Sequence, residues 1–145
     1  MEHELSITRI LSATPEEVYE AWLDPRAMAE WMRPIPGGHT EVSNEPMPGG
    51  GFLIVMHGNG TRYPTRGEYL RLERPRLLEF SWYPDGMPEG GRKSIVTVEL
   101  APLGSERTTL TLRHRLLPDA AMVRGHREGW SSGLDSLAAW CERRH

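Results

Sequence analysis

Residues 119–143 read Asp119-Ala120-Ala121-Met122-Val123-Arg124-Gly125-His126-Arg127-Glu128-Gly129-Trp130-Ser131-Ser132-Gly133-Leu134-Asp135-Ser136-Leu137-Ala138-Ala139-Trp140-Cys141-Glu142-Arg143, and the reading of this stretch decides the fold. Val123, His126, Trp130, Leu134, Leu137 and Cys141 recur at steps of three and four. At 100° per residue they fall in one narrow sector, so the spacing predicts a helix of about 25 residues with one apolar stripe. Arg124, Glu128, Ser132, Asp135 and Arg143 form its polar back.

Upstream of Leu117-Pro118-Asp119 the period is two rather than 3.6. Leu110, Leu112 and His114 share a face opposite Thr109, Thr111 and Arg113; Val96, Val98 and Leu100 share another, and Gly104 lies in the turn between these strands. Leu78, Phe80 and Trp82 alternate with Glu79 and Ser81, as a half-buried strand requires. Arg74-Pro75-Arg76 turns the chain back to a strand over about 62–72. Before it, His57-Gly58-Asn59-Gly60 has the glycines and asparagine of a hairpin turn, and Phe52 to Met56 is apolar on both faces. A short polar strand, roughly Thr40 to Glu45, lies among prolines and glycines and suits a sheet edge.

The chain opens with a further strand, Leu5 to Leu11, in which Leu5, Ile7 and Arg9 alternate with Ser6, Thr8 and Ile10. Thr14-Pro15-Glu16-Glu17 then carries a capping box: a hydroxyl cap, proline at the first helical position and Glu three residues after the cap. Asp24-Pro25 starts a second short helix, which Arg33-Pro34 ends. The predicted fold class is therefore α+β: a curved antiparallel sheet of six or seven strands wrapped around one long C-terminal helix, with two short helices after the first strand. One domain, 1–145, accounts for the chain. A curved sheet cannot close on a straight helix along its whole length, so an apolar cleft is expected between them.

Composition narrows the function. The charge of −3, from 20 acids against 17 bases, predicts no nucleic-acid binding. No apolar run is long enough for a membrane span, and Met1-Glu2-His3-Glu4 lacks the basic start of a secretory signal. With one cysteine, Cys141, the chain has no internal disulfide, and a cytoplasmic location is expected. Its six histidines show no metal-ligand spacing and no His-Glu-x-x-His, so neither a metal nor a cofactor is predicted.

Several segments stand in a shared order: Trp22-Leu23-Asp24-Pro25, Trp31-Met32-Arg33-Pro34, Pro48-Gly49-Gly50-Gly51-Phe52, Gly67-Glu68-Tyr69-Leu70, Leu78-Glu79-Phe80-Ser81-Trp82, and Gly129-Trp130-Ser131-Ser132-Gly133-Leu134. From about Ser6 to Cys141 the chain resembles the activator-of-heat-shock-protein-90-ATPase homologues, within the START-like (SRPBCC, Bet v 1-like) superfamily. Where many members carry Asp-x-Arg before the Pro-Gly-Gly, this chain has Glu45-Pro46-Met47. The resemblance implies the helix-grip fold. It also implies a choice of roles: enclosing a hydrophobic ligand, a cyclase or hydrolase activity, or a co-chaperone surface that stimulates an ATPase.

Binding of a small, largely hydrophobic molecule between sheet and helix is the leading expectation. Enzymic use of cleft histidines and a protein partner are its rivals. Phe52, Tyr69, Phe80, Trp82, His114, His126, Trp130 and Leu134 are the expected ligand-binding residues, with no catalytic or metal-binding residue assigned. Trp82 on the sheet and Trp130 on the helix are expected as opposite walls of the cleft. His114 and His126 either orient a ligand or hydrogen-bond at the rim of the core. Gly129 and Gly133, one turn apart, each cost roughly 1 kcal/mol against Ala in a helix. They admit either a ligand or a closely packed strand or ring.

Overall fold

The computed structural model describes residues 3–33, 35–88 and 90–144. The elements run β1 (His3–Leu11), α1 (Pro15–Leu23), α2 (Pro25–Trp31), β2 (His39–Asn44), β3 (Gly51–Gly58), β4 (Thr61–Glu73), β5 (Leu77–Pro84), β6 (Ser94–Leu103), β7 (Arg107–Leu117) and α3 (Ala120–Arg143). The seven strands form one antiparallel sheet in the order β1-β7-β6-β5-β4-β3-β2. β2 to β7 make a meander, and β1 closes beside β7. The α1–α2 pair carries the chain from one edge strand to the other.

Local chemistry sets the element ends. Thr14 Oγ1 accepts from the Glu17 amide at 3.3 Å, and a Glu17 carboxylate oxygen accepts from the Thr14 amide at 3.1 Å. The capping box thus satisfies two otherwise orphaned donors. Asp24 ends α1 and caps α2, accepting from the Arg26 amide at 3.0 Å. β2 starts and stops one residue before the expected strand. The Glu45 amide instead donates to Gly51 O at 3.0 Å and belongs to the turn. Between β3 and β4, Asn59 and Gly60 have φ of 53° and 73°, the left-handed pair a tight hairpin needs.

α3 lies with Trp130, Leu134, Leu137 and Cys141 buried, while Arg124, Glu128, Asp135 and Arg143 are exposed. Val123 and Ser132 are half-buried. Trp140 is buried as well, though it stands off the stripe read from the period. α2 packs on the C-terminal end of α3 and gives it a second covered surface. There the Trp140 indole donates to Glu30 at 2.7 Å, and the Arg144 guanidinium lies 4.0 Å over its ring. In β1, Leu5, Ile7 and Leu11 are buried while Ile10 is exposed, as the alternation requires.

Candidate functional site

The N-terminal half of α3 stands away from the sheet and leaves a cavity of about 460 Å³. From the helix come Ala121, Met122, Gly125, His126, Gly129, Trp130 and Gly133; from the sheet Met56, Tyr63, Thr65 and Trp82; and Met32 follows α2. Phe52, Ile54 and Met56 alternate inward on β3, as do Tyr63 and Thr65 on β4, which is how the sheet presents them to the helix.

Three glycines decide the character of the helix wall. Gly125, Gly129 and Gly133 stand at i, i+4 and i+8, on one line down the helix. A Cβ built at any of them meets nothing within 4 Å among the described residues. No strand or ring packs against this line. Of the two readings of Gly129 and Gly133, close packing is therefore removed, and open space remains.

The expected site residues divide into three groups. Trp82, Trp130 and His126 line the cavity. Phe52, Tyr69 and Phe80 pile up beneath it with Trp22, Met28, Met32, Ile54 and Trp82 around a void of only about 10 Å³. Leu134 and His114 are fully buried, and neither lines the cavity. The two tryptophans do not face each other across a gap. Their centroids are 5.0 Å apart at 48°, so they form one continuous floor and the cavity opens beside them. The separation of the sheet from the helix, which a strand period does not report, is small enough here for the two rings to touch. Met32, Met56, Tyr63, Thr65, Met122 and Gly125 are lining residues absent from the expected set. For the strand residues the signal was their alternation with known inward positions, and for Met122 and Gly125 it was helical spacing.

His114 is wired behind the floor. Trp130 Nε1 lies 3.0 Å from His114 Nδ1; an indole N–H only donates, so Nδ1 is the acceptor. Ser94 Oγ donates to Trp82 O at 2.6 Å and lies 2.7 Å from His114 Nε2. The hydrogen therefore sits on Nε2, and His114 is neutral with both nitrogens engaged. Burial, with the nearby His126 ring adding to it, lowers its pKa to about 3.

His126 is the polar group of the mouth. Its Nδ1 is 2.8 Å from Met122 O, so Nδ1 donates, which in a neutral ring makes Nε2 an acceptor. Its ring stands edge-on to His114 at 4.8 Å. A second pocket of about 320 Å³ shares Tyr63, Thr65, Trp82, Met122 and His126, and reaches Arg62, Asp85 and Arg92. The interior is apolar, and the charged groups Arg62, Asp85 and Arg92 lie on the side of the second pocket. Below the floor, the Trp22 indole N–H is buried with no partner among the described residues.

Among the described residues no helix is long and apolar enough to cross a membrane. A family model described as Activator of Hsp90 ATPase homolog 1-like protein matches residues 12–142. No curated protein matches the chain. Protein CV1439 from Chromobacterium violaceum is similar in structure, with 30% identity, TM-score 0.86 and 97% of each chain covered. CalU16 from Micromonospora echinospora has 28% identity and TM-score 0.70, covering 95% of this chain and 75% of its own. PFC0360w, an HSP90 activator from Plasmodium falciparum, shares the fold at 20% identity and TM-score 0.76, with 93% of each chain covered.

Proposed function

This chain belongs to the Activator of Hsp90 ATPase homolog 1-like protein family, and we propose that it binds a small, largely apolar molecule with one polar end in the cavity between α3 and the sheet. The open glycine line carries this reading. Three helix-interior glycines cost roughly 1 kcal/mol each in helix propensity, and no close contact at their Cβ positions among the described residues accounts for them. The surface they flatten faces a cavity with Trp82, Trp130, Met32 and Met56 around it. An apolar body against these side chains and a hydroxyl donating to His126 fit the distribution of polar groups.

Burying about 200 Å² of such a ligand supplies roughly 5 kcal/mol before ordering costs. Micromolar or weaker affinity follows unless polar contacts add to it. The rival use of His114 as a general base lacks a free nitrogen, since both are bonded behind the floor. A protein partner, the other rival, would meet the exposed Tyr63 and Met122 at the mouth. Cytoplasmic residence is part of the proposal: Cys141 is buried and burial pushes its thiol up to about 11, so it acts as a small core hydrophobe.

Tryptophan fluorescence during titration with naphthol and with decanol tests the reading. A saturable change is expected in the native chain, and its loss or marked weakening is expected in Gly129→Leu, whose side chain projects into the cavity while the fold is kept. No saturable response to either probe, together with no small molecule retained in native mass spectra of protein from its own host, refutes it.

A further inference from the structure

We propose that His39, Glu41 and His57 form a binding site for a divalent transition-metal ion, Zn²⁺ being the natural probe, on the face of the sheet turned away from α3. His39 of β2 and His57 of β3 are register partners, and Glu41 lies two residues along β2 on the same face. The chain spacing of the two histidines hides this pairing, which the antiparallel register creates. Thr40 and Val42 alternate inward, as do Ile54 and Met56 on β3, so the cluster points away from the cavity and shares no residue with it.

The geometry is that of ligands rather than of an ion pair. Glu41 Oε1 lies 3.4 Å from His57 Nε2 and 3.8 Å from His39 Nε2, beyond a good charge-assisted hydrogen bond. The three ligand atoms all lie within 4.8 Å of one another. In a tetrahedral zinc site with bonds of about 2.0–2.1 Å, neighbouring ligand atoms are about 3.3 Å apart. The two imidazoles stack at 4.2 Å and 5°, and a small tilt of each ring brings their nitrogens to that edge length. His57 Nε2 is a buried atom with no hydrogen-bond partner among the described residues, despite the carboxylate in ion-pair range. An ion would give this nitrogen a partner.

Two imidazoles and one carboxylate suit a borderline divalent ion and leave a coordination position open. Arg62, the β4 register partner of His57, brings positive charge to the same face and weakens the site relative to a closed four-ligand one. A bound ion would clip the edge strand β2 to β3. Acid would release it, because the imidazoles must be neutral to bind.

Isothermal titration of the whole chain with Zn²⁺ tests the site, with Co²⁺ absorption as a second readout. One equivalent is expected to bind. His57→Ala and Glu41→Gln should each weaken it about tenfold or more, since even outer-shell changes cost a metal site that much. Glu41→Gln should melt like the parent without metal, because the Glu41 side chain is exposed. Tetrahedral Co²⁺ bands should appear in the parent and be lost in His57→Ala. Absence of binding, or equal affinity in the parent and both variants, overturns the proposal, the latter by placing the ion elsewhere.

Discussion

The indole N–H of Trp130 meets Nδ1 of His114 at 3.0 Å, and this one contact determines which nitrogen of the buried histidine carries its hydrogen. Protonating His114 would set a second N–H against that donor, in a site already stripped of water. The folded pKa is about 3, below the ordinary value of 6.5. Between these values the unfolded chain binds the extra proton and the folded chain does not. Stability from this group is thus complete above about pH 6.5 and falls toward pH 3, with a slope of up to about 1.4 kcal/mol per pH unit. Urea melts between about pH 7 and about pH 5 should show the decline, and His114→Gln should flatten it. Equal slopes in both proteins would show that His114 is not the titrating group.

Gly129→Ala should stabilise the protein by roughly 1 kcal/mol, because the helix gains propensity and the new methyl meets only open space. The same substitution should weaken binding of naphthol. A variant that is both less stable and unaltered in binding would contradict the open glycine line.

Leu134→Ala should destabilise by roughly 2–5 kcal/mol, since Leu134 is completely buried in the stripe that seats α3 on the sheet. Asp135→Ala, next along the helix, should stay within about 0.5 kcal/mol, as its ion pair with Arg9 is long and exposed. Paired denaturant melts compare the two.

Thr14→Ala removes the hydroxyl that accepts from the Glu17 amide and should cost about 1 kcal/mol. Thr14→Ser should retain nearly all of the stability, which separates the cap from simple packing of the side chain.

The sequence by itself determined the elements and their order. The stripe from Trp130 to Cys141, the alternation of Leu110, Leu112 and His114, and the Thr14–Glu17 cap are local patterns, and local patterns report secondary structure and the buried face directly. It also marked His126, Trp82 and Trp130, each of which reaches the cavity because its period points it inward. Tertiary structure alone decided the rest. Whether Gly129 and Gly133 faced packing or space depended on how far the sheet curves from the helix. Whether Trp82 and Trp130 touched or stood apart depended on the same separation. Trp140 became buried because α2 reaches it, and His39 met His57 because β2 and β3 pair in that register. Distances between elements far apart in the chain arise from packing of all the side chains together, and no single stretch of sequence carries them.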